Sequence, residues 1–451
     1  MAFDRSPDRS LEVAIGGAGI AGLAAAYELA KRGRRVRVFE ASPRAGGLIR
    51  TEHAGGFTIE AGPDSVLAAK PAAVALIEEL GLGQNLQRIR EDAGAFVLKQ
   101  GRLHRLPRPS LLGIPLTPDA LAGYDLLSPE GRARLALEPT IPPRHHDADE
   151  SVGSFFRRRF GDEAVDLIAQ PLLGGIHAGD IETLSMRSLF PRLLAIEREH
   201  GAITGTHAAP APLSGHGAFA SLRGGMGTLV DALVAALPPD TIEYGRSLDS
   251  LADVDAECTI LALPAYAVAR LTEPFDRHAA ALAAQVPYVS TASVALAWPR
   301  ADVMHPLDGT GFVVSRRYSD VRITACTWVS SKWPERAPAD AVLLRAFVGG
   351  AHDPDVVNLA DAALVDVVRD DLRRILGIAS APSLARVYRW PRAGAQHVVG
   401  HLDRVAEIEH RLAPHRVFVT GSGFRAVGIP DCVADGRRAA ALADQLLPSS
   451  R

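Results

Sequence analysis

Gly17, Gly19 and Gly22 stand in the spacing G-x-G-x-x-G, between the apolar run LEVAIG and the alanine-rich run LAAAYELAKRG. Such a turn is built to take a pyrophosphate. The first glycine permits the tight bend, the second lets backbone approach the phosphates, and the third lets a helix pack on the preceding strand. Ala18, Ile20 and Ala21 complete the turn and open the helix. The free N–H groups and positive dipole end of that helix then face the phosphates. Gly33 is placed to close it. Glu40 ends a second apolar run, about 20 residues past the glycines, where a carboxylate binds both hydroxyls of an adenosine ribose and disfavours a 2′-phosphate. The unit reads as strand, turn, helix and strand around an adenine dinucleotide other than NADP.

The segment after Glu40 separates FAD from NAD. The chain continues through Ala41, Arg44, Gly46, Gly47 and Leu48, and after Gly55-Gly56 reaches Gly62, Pro63, Asp64 and Ser65. Arg44 can reach a diphosphate, and paired glycines let backbone lie close to a flat ring. An NAD enzyme has no need of this extension.

These residues need elements to hold them. At 451 residues the chain exceeds one compact core, so two or three domains are expected. The expected fold is α/β: a Rossmann-like FAD-binding domain assembled from discontinuous segments, with an antiparallel β substrate domain and a helical insert. The FAD domain is assigned to 1–80, 215–275 and 411–451, the substrate domain to 81–103 and 276–410, and the insert to 104–214. Cys258–Pro264 is a wholly apolar segment suited to a buried parallel strand. Segments such as TASVALAW, GTGFVVS, RITACTWV and AVLLRAFVGG favour strands separated by turns. In the insert, Leu126–Leu137 and Ser151–Leu173 carry apolar residues at helical spacing, and Asp147 with Glu150 forms a candidate capping box. Phe155, Phe156 and Phe160 surround Arg157-Arg158-Arg159. That surface reads either as a face resting on lipid head groups or as a core face backed by a solvated basic one.

A net charge of −3 argues against nucleic acid as a partner. Cys258, Cys326 and Cys432 are far apart, with no metal or disulfide spacing, and no metal site is assigned. His145-His146 reads as a solvated loop pair. No run approaches the roughly 18 apolar residues of a spanning helix, and the N-terminus is polar through Ser10. A cytoplasmic location is expected, with peripheral contact to the cytoplasmic membrane through the 104–214 insert.

The stretch from Glu40 to Gly47 resembles the flavin-containing amine oxidase superfamily, whose second strand runs into E-x-x-x-R-x-G-G. Within it the chain is similar to the oxygen-dependent protoporphyrinogen/coproporphyrinogen oxidase family, over almost its whole length. The blocks that carry this are Glu150–Gly161, Pro171–Asp180 with Leu184–Arg187, His305–Phe312, Ser330–Pro334 with Arg336–Pro338, Gln396–His401, and Val427–Cys432 with Gly436. Amine oxidases share the first and last motifs and lack the middle ones. Three departures bear on substrate anchoring. Ala95 stands where many members place an arginine that meets a propionate, Ala395-Gln396-His397 replaces P-Q-Y, and Ala426 replaces a glycine. Arg102 and Arg105 are the candidate replacement cations.

The resemblance implies non-covalent FAD held by Gly17–Gly22, Glu40, Ala41, Arg44, Gly47, Leu48 and Gly62–Ser65. Leu248 would bind adenine through its backbone, Trp390 is a further cofactor candidate, and Val427, Gly428 and Ile429 would approach the isoalloxazine. It also implies the reaction: oxidation of protoporphyrinogen IX to protoporphyrin IX by O2, in three two-electron steps with hydrogen peroxide released. The difficult chemistry belongs to the cofactor, so no catalytic acid or base is assigned. Oxidation of coproporphyrinogen III to coproporphyrin III is the alternative, followed by an amine oxidase or desaturase relative and a flavin-binding scaffold without turnover. A homodimer and hand-off to a porphyrin-metallating enzyme accord with this picture.

Overall fold

The computed structural model describes residues 11–89, 93–144, 148–205 and 219–448. The strand Leu11–Gly16 is the middle of a five-stranded parallel sheet ordered Ile242–Tyr244, Val36–Glu40, Leu11–Gly16, Ala256–Leu261, Val417–Val419. Its strands come from three distant parts of the chain. Helices cover the sheet, and Val13, Ala14 and Ile15 are wholly buried, which is why these strands read as continuous apolar runs rather than alternating ones. The alanine-rich helix Ile20–Lys31 packs on the terminal helix Gly428–Asp444. A Cβ on Gly436 would lie 2.2 Å from the Ala21 carbonyl oxygen, so small residues set the closeness of that crossing.

A seven-stranded sheet forms the second layer, ordered Leu384–Ala395, Tyr288–Pro299, Ala341–Gly349, Ala325–Trp328, Gly309–Val314, Gly94–Lys99, Arg102–Arg105. Neighbours are antiparallel except for one pair: Gly309–Val314 runs parallel to Gly94–Lys99. The sheet is therefore mixed rather than antiparallel as expected. Gly94–Lys99 reaches it from far earlier in the chain, and the helical insert lies within the crossover. One face packs on the helix Asp361–Leu376 through Leu364, Val368 and Leu372. The other receives Phe57, Ile59 and Ala61 from the dinucleotide half.

The helical insert differs from its sequence reading in two respects. The long helix expected over Ser151–Leu173 ends at Phe160, because Gly161 takes a left-handed φ of 92°. The chain resumes with wide π-helical turns over Val165–Gly174, around Pro171, which lacks an N–H for the ladder. Ser151 caps the first helix, its Oγ accepting the Ser154 N–H. Asp147 of the expected capping box and His145-His146 lie outside the described residues.

The second difference overturns the lipid-facing surface. Phe155, Phe156 and Phe160 are buried core residues, and the three arginines are spent on carboxylates. Arg157 pairs with Asp162 and Glu182, Arg158 with Glu150 and Glu197, and the fully buried Arg159 with Glu138 and Glu197. No aromatic–basic face is left to meet a membrane there. Among the described residues no helix is long and apolar enough to cross one.

Candidate functional site

The turn after Leu11–Gly16 lies at the carboxyl end of the parallel sheet, where open α/β folds bind their ligands. Gly17 adopts a φ of 94°, and a Cβ there would stand 2.6 Å from the Ala262 carbonyl oxygen. At Gly22 a Cβ would stand 2.0 Å from the Gly17 carbonyl oxygen, whereas at Gly19 it would meet nothing within 4 Å. Gly19 is also the N-cap of the helix, and no side chain bonds the helix's first N–H groups. Open space before unclaimed N–H groups suits a pyrophosphate. Glu40, with Ala41 next to it at the strand end, accepts the Ala18 N–H on Oε2 and the Ser42 N–H on Oε1, both at 2.8 Å. Its carboxylate is thereby fixed beside the turn.

The glycine pair lies directly on this cradle. The Gly46 N–H donates to the Ala18 carbonyl at 2.8 Å, and a Cβ on Gly47 would approach Gly19 Cα at 3.2 Å. Arg44 donates to the carbonyls of Ala45, Gly47 and Ile49, so its guanidinium shapes the loop that holds Leu48. Burial, then the nearby Arg50, lowers its pKa, and Glu40 opposes them. Leu248 borders Gly16, with Cδ2 3.2 Å from where a Gly16 Cβ would be. This set of open glycine, uncapped helix and ribose-height carboxylate fits FAD.

A second segment crosses the first at Gly62, where a Cβ would fall 1.9 Å from the Leu48 carbonyl oxygen. Side chains from the seven-stranded sheet hold it by its carbonyls. Arg345 donates to those of Glu60 and Gly62, both at 2.7 Å. Trp390 Nε1 and Ser293 Oγ donate to that of Ala61 at 2.9 and 3.0 Å. Past Pro63, the Asp64 carboxylate takes Lys332 at 3.0 Å, Trp333 Nε1 at 3.2 Å, Arg345 at 3.5 Å and the Ser65 hydroxyl at 2.8 Å. Burial alone would raise the Asp64 pKa, but Lys332 and Arg345 hold it well below the usual range. Glu60 pairs with the buried Arg336 at 2.9 Å. The polar atoms of Asp64 and Trp390 thus face protein partners and clamp the two layers together. Sequence reasoning assigned no role to Lys332, Arg336 or Arg345. For the first two the signal lay in the block Ser330–Pro338; for Arg345 it was a lone charge within the apolar run AVLLRAFVGG.

Val427, Gly428 and Ile429 open the terminal helix where the three parts of the molecule meet. Val427 packs against the helical insert and Ile429 against the dinucleotide core. Gly428 takes a φ of 81°. Asp431 accepts the Val427 N–H at 3.2 Å and pairs with Lys70 at 2.6 Å, a cation at this turn that the sequence reading missed. Burial, then Asp435 and Asp431, pushes the Cys432 thiol up to about 12, so it carries no thiolate.

Two stacked histidines latch the same junction. The His397 and His401 ring centroids lie 3.9 Å apart with the rings nearly parallel. His397 Nε2 meets the Ser422 carbonyl at 2.9 Å and Nδ1 the Ser188 hydroxyl at 2.8 Å. His401 Nε2 meets the Phe424 carbonyl at 2.6 Å. A carbonyl can only accept, so each ring carries a proton on Nε2. Burial lowers both pKa values, His401 to about 3. The unfolded chain binds these protons near 6.5, so their stabilising contribution is complete above that value and is lost as pH falls toward 3. Thermal melts between pH 7 and about 4 should show a drop that His401→Asn reduces; an identical pH slope in that variant would refute the latch.

Ala95 lies in the strand Gly94–Lys99, level with Gly311 of the neighbouring strand. Arg105 pairs in register with Phe96; its guanidinium is 5.9 Å above the Phe96 ring and its Nε is 2.7 Å from where a Gly94 Cβ would be, so it lies on the Gly94–Phe96 face of the strand and not on that of Ala95. Arg102 pairs in register with Lys99 at the far end of the hairpin. Arg105 thus lies near Ala95 along the strand but on the other face, and Arg102 lies at the far end, so neither candidate cation stands beside the position that Ala95 leaves uncharged.

Comparison with known proteins places the whole arrangement. Residues 20–443 match the family of flavin-containing amine oxidoreductases. The chain is 36% identical to the coproporphyrinogen III oxidase of Bacillus subtilis, over 97% of this chain and 98% of that protein. It is 26% identical to protoporphyrinogen oxidase 2 of Arabidopsis thaliana, over 97% and 94%. A crystal structure from Exiguobacterium sp. 255-15, provisionally assigned as a protoporphyrinogen oxidase, superposes with a TM-score of 0.86 at 31% identity, over 97% of this chain and 99% of that one. The chain accordingly takes FAD as its cofactor and belongs to the flavin-containing amine oxidoreductase family.

Proposed function

We propose that this protein oxidises coproporphyrinogen III to coproporphyrin III, with O2 as electron acceptor and FAD held without a covalent bond. The observation that carries the choice is the 36% identity, over nearly the full length of both chains, to a protein named for that activity. A second relative of that name, from Staphylococcus aureus, is 33% identical over 95% of this chain and 98% of its own. Coproporphyrinogen III thereby moves ahead of protoporphyrinogen IX, the substrate expected first from the sequence. Bound FAD supplies the two-electron acceptor. The cradle of Gly17–Gly22 and Glu40 holds its adenosine diphosphate end, and the carbonyl clamp of Arg345, Ser293 and Trp390 fixes the 60–62 turn beside it. Val427–Ile429 form the third wall. Buried Cys432, protonated, is no partner for a covalent flavin link. Three successive two-electron steps each need a bridge carbon of the macrocycle presented to the flavin, so positioning is the protein's main contribution. Lys70 lies at the flavin turn.

A turnover assay with both porphyrinogens tests the reading. Porphyrin fluorescence and peroxide should appear in air and not under argon, faster from coproporphyrinogen III. Faster turnover of protoporphyrinogen IX would restore the first reading. No turnover of either, with FAD fully bound, would favour the scaffold.

A further inference from the structure

Three of the six arginines on the strands of the seven-stranded sheet pair with carboxylates of the protein itself. Arg345 pairs with Asp64, Arg386 with Glu52 and Arg389 with Asp361. Arg392, on the same edge strand as the last two, is different. Its guanidinium lies 4.2 Å over the Tyr266 ring, and among the described residues its side chain has no hydrogen-bond or ion-pair acceptor. Lying over an aromatic ring holds the group still, and its N–H groups are left without a protein acceptor among the described residues. Those N–H groups form a fork matched to a carboxylate.

The backbone aims Arg392 in an unusual way. It adopts a φ of 46°, a left-handed conformation uncommon for a long side chain. It lies where the pairing of Leu384–Ala395 with Tyr288–Pro299 shifts register, between Val289 and Thr291. Such bulges re-aim a side chain, and strain of this kind gathers at functional sites. The Arg392 N–H donates to Ser290 Oγ at 2.9 Å. The Ser290 carbonyl accepts Gly350 N–H at 2.9 Å, and the next residue, Ala351, donates to Ala178 of the helical insert at 2.8 Å. Arg392 thus stands where sheet, insert and dinucleotide domain converge. Trp390, two residues before it, is bonded to Ala61 beside Gly62.

We propose that Arg392 binds a carboxylate of the substrate, as a two-donor fork at one edge of the sheet. The inference rests on the functional reading above. A tetrapyrrole with a propionate on every pyrrole needs cations on more than one side.

Fluorescence titration of FAD-loaded protein with coproporphyrin III tests this without turnover. Arg392→Ala should weaken binding about 10- to 100-fold, the scale of one charge-assisted pair. Arg392→Lys, with the charge but not the fork, should fall between the two. In turnover, KM for coproporphyrinogen III should rise more than kcat falls, while the flavin spectrum and melting temperature stay at wild-type values. Wild-type binding matched by Arg392→Ala would overturn the inference alone. A wild-type protein that binds no coproporphyrin III would overturn the functional reading and the inference with it.

Discussion

Gly19→Ala should fold as well as the wild type and lose its flavin, whereas Gly22→Ala should fail as a protein. The two glycines belong to one motif but meet different surroundings. A Cβ at Gly19 touches nothing within 4 Å, so the apoprotein has no reason to change. The space it enters is the approach to the uncapped N-terminus of Ile20–Lys31, which the pyrophosphate must occupy. Displacing the phosphates from two or more backbone donors should weaken FAD by about 100-fold or more. At Gly22 the Cβ would lie 2.0 Å from the Gly17 carbonyl oxygen and 3.1 Å from Ala262 Cβ. Backbone must move at the centre of the parallel sheet, for about 3 kcal/mol or more, the upper end of overpacking. Melting of the apoproteins and FAD titration separate the two. A Gly19→Ala protein that keeps its FAD would place the pyrophosphate elsewhere.

That contrast also explains what was legible. The cradle could be read because its parts are local: three glycines, a helix and an acid within thirty or so residues, each required by the same turn. The clamp could not. Glu60 and Arg336 are 276 positions apart, and Arg345 reaches the Glu60 carbonyl across 285. No periodicity links residues at such distances, and only the fold shows that the cations of Ser330–Pro338 belong to the flavin side. The same holds for substrate choice. Motifs report the cofactor and the reaction type, while the count of carboxylates a cavity accepts depends on cations gathered from separate strands. Ala95 was a visible gap. That Arg105 shares the face of Gly94 and Phe96 rather than that of Ala95, while Arg102 sits at the other end of the hairpin, required the register of the strands.

The arginine run of the helical insert was misread for a geometric reason that yields the last expected result. Three consecutive helical residues point in three directions, about 100° apart, so they cannot form one basic face. Arg157 points outward to Asp162 and Glu182. Arg159 points inward, where neither it nor Glu138 has any exposed side-chain surface. Its Nε donates to Glu138 Oε1 at 2.8 Å, and further N–H groups reach the carbonyls of Ile141 and Gly201. Glu138 in turn accepts the Thr204 N–H at 2.9 Å and the Thr204 hydroxyl at 2.6 Å. Arg159→Met should therefore leave a buried carboxylate without its counter-charge, at a cost of about 3–5 kcal/mol. Arg157→Met removes only two exposed pairs and should cost about 1 kcal/mol or less. Denaturant titration of the two variants should differ accordingly, and in liposome flotation Arg157→Met should match the wild type. Equal stability of the two would mean that Arg159 is not buried against Glu138. A flotation loss confined to Arg157→Met would reinstate the membrane-facing helix that the buried Phe155, Phe156 and Phe160 argue against.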